Sequence, residues 1–114
     1  MEVRESPFQD AAGPALRALA AYDRDDLTLV YEREDVSTKE RVIDGIHEEL
    51  VLGEFSTDRL EALFQVGDWH CTMHRFERAI CVHHGTGDYR GVLASVDTDA
   101  GVDLEAVARA CDEV

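Results

Sequence analysis

Lysine, paired cysteine, proline and long apolar runs are all scarce in this sequence, and each scarcity excludes something. Lys39 is the only lysine among eleven basic residues, and those eleven stand against 25 Asp and Glu, a formal net charge of −14. Such a charge repels a phosphate surface before contact forms, so no direct binding of nucleic acid and none of a membrane is expected. Three cysteines, Cys71, Cys81 and Cys111, are an odd number without a C-x-x-C pair, which does not read as a disulfide framework. The opening MEVRESPFQD has an acidic start and no apolar signal-like core. No apolar run approaches the roughly 20 residues of a membrane span. A cytoplasmic location is the expectation from these three features together. With two prolines, and neither an internal repeat nor a low-complexity stretch, no linker divides the chain.

What is present is enough for one core. A chain of 114 residues is one domain's worth, and 45% hydrophobic residues separate it from a disordered acidic tail. Ten of the eleven basic residues are arginine, a weakly hydrated planar fork suited to carboxylate pairing, where lysine is a strongly hydrated point charge. A surface purged of lysine and crowded with carboxylates suits molar salt, where the screening length falls to about 3 Å. In composition the chain resembles proteins of the salt-in haloarchaea. With its small size and its Cys71/Phe76 hairpin pattern it resembles small acidic haloarchaeal proteins, a likeness that brings no activity with it.

Along the chain, residues 1–12 are polar without a clear period and are expected to form a loose N-terminal arm. Residues 13–114 then make a single domain. Pro14 can open a helix, and Ala15 to Tyr22 follows in helix-forming composition with Leu16, Leu19 and Ala20 on one face. Leu27 to Glu32, β-branched and aromatic with alternating Leu27, Leu29 and Tyr31, reads as a strand. Ser37-Thr38-Lys39-Glu40 has capping-box spacing before a Val42, Ile43, Ile46, Leu50 stripe that ends at Gly53. A second helix from Ser56 or Thr57 buries Leu60, Leu63 and Phe64 and stops at Gly67. Three strands follow, Trp69 to Arg75, Ala79 to His84 and Gly91 to Val96, then a helix over 103–112 with Asp103 as its N-cap. The core expected from these periods is Leu16, Leu19, Leu29, Ile43, Ile46, Leu50, Leu60, Leu63, Phe64, Val82, Val107 and Cys111.

The order is α-β-α-α-β-β-β-α, an α+β domain with an antiparallel sheet of about four strands and helices packed on one face. In order of elements it resembles the GTPase-associated roadblock domain. The likeness carries no site, because no roadblock motif can be matched residue by residue and one strand stands where a hairpin belongs.

The stretch from Trp69 to His84 differs from everything around it. It holds four of the five histidines, two of the three cysteines and the only tryptophan. Over 69–91, Arg75, Arg78 and Arg90 against Glu77 and Asp88 leave a charge of +1, so the rest of the chain carries −15. With Glu77-Arg78 as a two-residue turn, Phe76 opposes Ala79, His74 opposes Cys81 and Thr72 opposes His83. Met73 then opposes Val82 and Cys71 opposes His84, with Trp69 and Ile80 on that more apolar side, toward the helices.

On this register His70, His74, Cys81 and His83 share the outer face. Four readings of them compete. A zinc-type site needs three or four nitrogen or sulfur ligands in a tetrahedral array, which this set could supply, though without a recognised ligand spacing. A Cys81–His74 nucleophilic pair needs an orienting third group, nominally Asp88, and a cleft that a flat sheet does not offer. A protein-binding face would use Phe76 as an aromatic anchor with Arg75 and Arg78 beside it. The plainest reading is half-buried strand residues with solvated histidines. Gly85-Thr86-Gly87-Asp88 lacks the lysine and following helix of a phosphate loop and reads as a turn. No constellation specifies an enzyme, and no cofactor is implied except zinc under the metal reading. The reading carried forward is a non-enzymatic interaction or regulatory module of a salt-rich cytoplasm. It would bind itself as a homodimer, or an acidic protein partner, through the 69–91 hairpin.

Overall fold

The computed structural model describes residues 3–37, 39–53 and 56–113, without the side chain of Glu40. Five strands, β1 (Leu16–Tyr22), β2 (Leu27–Glu32), β3 (Cys71–Arg75), β4 (Ala79–Gly87) and β5 (Arg90–Asp97), form one sheet in the order β2-β1-β5-β4-β3. Every neighbouring pair is antiparallel. The helices are α1 (Ser6–Ala12), α2 (Glu40–Gly53), α3 (Thr57–Phe64) and α4 (Leu104–Cys111). The expected α+β class with its antiparallel sheet is what the chain adopts.

Two corrections fall at the N-terminal end. Residues read as a loose arm contain α1, with proline in its first turn and Phe8 buried in the core. Leu16–Tyr22, read as a helix, is β1, which brings the strands to five; Pro14 lies in a short 3-10 turn, Gly13–Ala15. Helix propensity is a weak prior, and here pairing on both edges and burial on both faces override it. β1 lies between β2 and β5, with Leu16, Leu19, Ala20, Ala21 and Tyr22 all buried. Its alanines, which suggested helix, give a strand low enough for cover on either side.

Register sorts the sheet into two faces. Leu19 pairs with Ala94 and Ala94 with Val82, so these three point the same way, as do Val92 and Val96 by alternation along β5. On this face α1 and α4 close the core, adding Phe8, Val107, Ala110 and Cys111. Each such large apolar side chain removed from water contributes about 1.5–3 kcal/mol before the entropy of ordering is set against it. Asp103 caps α4 as expected, accepting a hydrogen bond from Ala106 N–H at 3.2 Å.

The other face is covered too, where the sequence suggested helices on one side only. Residues of α2 and α3 meet the sheet over Thr72, His74 and His83, which alternate with the core-facing set. This cover is looser than the core. Leu29, Ile43, Ile46 and Leu50 are half-buried, and Leu60, Leu63 and Phe64 are exposed, against the expectation that all seven would fill the core. α2 begins at Glu40, two residues later than a Ser37 cap would start it, with the Lys39 carbonyl accepting from the Val42 and Ile43 N–H groups. Thr38 and the side chain of Glu40 lie outside the described residues.

Candidate functional site

The hairpin register is the one that alternation gives. Cys71 pairs with His84, Thr72 with His83, Met73 with Val82 and His74 with Cys81, and Phe76 N–H donates to the Ala79 carbonyl at 2.8 Å around a Glu77-Arg78 turn. The turn is tied to the chain beyond β5, where Thr98 Oγ1 donates to the Glu77 carbonyl at 2.9 Å.

The four proposed metal ligands do not gather on one open face. His83 is 8% exposed, and its Nε2 shares a 2.5 Å hydrogen bond with the Tyr22 hydroxyl. Trp69 stands edge-on to the same imidazole, with ring centroids 5.7 Å apart. Trp69 therefore lies on the His83 side of the sheet, a correction to its placement with Cys71. His70 departs to the opposite side, where its Nε2 pairs with the Asp112 carboxylate at the end of α4 and its ring lies 4.7 Å from that of His84. Cys81 contacts Ser95. His74, exposed near the turn, has the Phe76 ring 6.5 Å away. Among the described residues no three His, Cys, Asp or Glu side chains converge as a metal-ligating group.

Burial sets the chemistry of the enclosed groups. His83 is pushed down to about 4 by desolvation first and by the charges of His84 and His74 after it, so its imidazole is neutral at ordinary pH. Burial also pushes the Cys111 thiol up to about 12, and the Cys71 thiol rises for the same leading reason. Neither is prepared as a thiolate nucleophile.

The three residues proposed as an interface are exposed. Phe76 is 59% exposed at the hairpin tip, Arg78 stands beside it, and Arg75 makes a solvent-facing ion pair with Asp99 at 3.2 Å. They do not stand alone. β3 is an edge strand, and along it α3 leaves Leu63, Phe64 and the following Val66 exposed at 65%, 68% and 88%. Phe64, Val66, Trp69 and Met73 border an open groove of about 380 Å³ between this helix and the strand. The Leu60, Leu63, Phe64 stripe is visible as a period that suggests core, but periodicity marks an apolar face without saying what covers it.

Sequence and structural comparisons place the chain as follows. The model of the family described as a domain of unknown function (DUF7522) matches residues 5–114. No curated protein matches the chain. Among solved structures, the gliding protein mglB from Thermus thermophilus is similar over 96% of this chain and 86% of its own, with a TM-score of 0.56 and 18% identity. At that identity the likeness speaks for the fold alone.

Proposed function

The chain belongs to the DUF7522 family, and we propose that it is a non-enzymatic interaction module that pairs with a second copy of itself along β3 and α3. The observation that carries this reading is a sheet edge with an apolar border. Among the described residues β3 ends the sheet with one side unpaired, and Met73, Phe64 and Val66 stand exposed beside it in a protein rich in carboxylates. An unpaired strand edge is a template for another strand, and apolar side chains beside it exclude water from the new hydrogen bonds.

Charge favours a second copy as the occupant. Two β3 strands paired antiparallel about a twofold axis place the start of one beside the end of the other. Asp68 and Glu61 lie near the start of β3, and Arg75 and Arg78 lie at its end, so each copy would offer arginines to its partner's carboxylates. Arg–carboxylate pairs of this kind are charge-assisted and can be bidentate. The +1 segment 69–91 is also where two chains of −14 repel least. We further propose a salt-rich cytoplasm as the working solvent, since molar salt removes the long-range part of that repulsion.

The pair of substitutions Phe64→Asp and Met73→Asp tests the surface, because both side chains are exposed in the single chain. The double variant is expected to sediment as a folded monomer in molar KCl, with a melting temperature that no longer rises with protein concentration. A variant that still forms the wild-type species places the contact elsewhere. A wild type that is monomeric, and is captured only by an acidic protein, replaces the second copy with that partner.

A further inference from the structure

Beneath α2 and α3, on the sheet face away from the core, lies a cavity of about 340 Å³ bordered by Leu50, Leu60, Trp69, Thr72, His74 and His83. A second of about 180 Å³ shares Thr57, Trp69 and His83 with it. Apolar walls with a few convergent polar groups, at a volume of about 300 Å³ or more, are the general form of a small-molecule site. It adjoins the outward groove at β3, with Leu60, Trp69 and Thr72 bordering both, and differs from it in reaching Leu50, Thr57, His74 and His83.

Its polar groups are held in place. Trp69 Nε1 donates to Thr72 Oγ1 at 3.0 Å, and Trp69 N–H donates to the Glu61 carboxylate at 2.5 Å, which fixes the indole as a wall. Paired Gly85 and Gly91 make room on the sheet for the rings of Trp69 and Tyr22, which flank His83. With Nε2 bound to Tyr22, the other imidazole nitrogen of His83 is the one open to a further bond.

The chemistry of the lining narrows the ligand. Neutral His83 provides no cation for an anion, and Glu49 and Asp58 at the borders repel one. Leu50 and Leu60 offer nothing to a strongly hydrated cation. One flat indole, two leucines and single hydrogen-bonding groups remain. We propose that this cavity binds a small, planar, uncharged heteroaromatic molecule of nucleobase size, stacked on Trp69 and hydrogen-bonded at its edge to His83 and to the hydroxyl of Thr72.

Trp69 is the only tryptophan, so its fluorescence reports on the cavity directly. Adenine is the probe. Its titration into the wild-type protein is expected to quench Trp69 saturably, with a Kd of about 1 mM or below, and to shift the imidazole NMR signals of His83. Thr57→Phe, which fills the wall common to both cavities, is expected to weaken binding at least tenfold. Quenching that rises linearly without saturation overturns the proposal. So does saturable quenching that leaves His83 unmoved, which would place adenine in the outward groove, or undiminished binding by folded Thr57→Phe. Should that variant not fold, the wild-type His83 signals decide alone.

Discussion

Tyr22 occupies the space that any side chain at Gly91 would need. A Cβ built on Gly91 lies 2.5 Å from the Tyr22 hydroxyl oxygen and meets the His84 carbonyl as well. The two residues are direct partners across β1 and β5, so neither can retreat without breaking the ladder. Gly91→Ala is expected to destabilise the fold by about 1–3 kcal/mol, the range for overpacking a filled site. Gly45→Ala in α2, where a Cβ meets nothing within 4 Å, should instead stabilise by up to about 1 kcal/mol. Urea unfolding of the pair measures both, and a neutral Gly91→Ala would mean that the Tyr22 ring lies elsewhere.

Burial of His83 beside the same ring sets a pH dependence. Its folded pKa of about 4 lies below the ordinary 6.5, so the unfolded chain takes up the proton first. The neutral, buried imidazole therefore stabilises the fold above pH 6.5, and that contribution is lost as the pH falls from 6.5 through 4. At about 1.4 kcal/mol per unit, the loss is on the order of 3 kcal/mol. His83→Gln should flatten stability over this window, and NMR should find the wild-type imidazole neutral down to about pH 4. Titration of His83 near 6.5 would contradict its burial.

Leu19 and Leu63 separate the true core from the periodic stripe of α3. Leu19 is fully buried, and its replacement by alanine should cost about 2–5 kcal/mol. Leu63, 65% exposed, should change stability by no more than about 0.5 kcal/mol in the same substitution. Equal costs would mean that α3 packs inward.

Salt should raise the melting temperature steadily from dilute buffer to molar KCl, because 25 carboxylate side chains against 11 cations repel one another within the fold. A melting temperature that is flat or falls with KCl would remove the case for a salt-rich setting.

How much of this was legible in the sequence depended on whether local pattern or distant packing decided the matter. β2, α4 with its Asp103 cap, and the pairing of Cys71 with His84 through His74 with Cys81 follow from alternation, periodicity and a tight turn, all of them local. β1 failed because Leu-Arg-Ala-Leu-Ala-Ala-Tyr is helix-forming by composition and is a strand only through pairing with β2 and β5. The hairpin face failed for a related reason. Alternation put His74 and His83 on one side, but it could not foretell that Tyr22, 61 residues away, would bind one of them beneath α2 and α3. Exposure of Leu63 and Phe64 was hidden in the same way, since a stripe looks alike whether its cover comes from the same chain or from another.

The most direct test of the central claim is the mass of the wild-type protein in solution, by sedimentation equilibrium in molar KCl over a range of concentrations. Pairing along β3 and α3 predicts a species of twice 12.7 kDa that dissociates on dilution and is absent from the Phe64→Asp, Met73→Asp variant. A wild-type mass of 12.7 kDa at every concentration would contradict it.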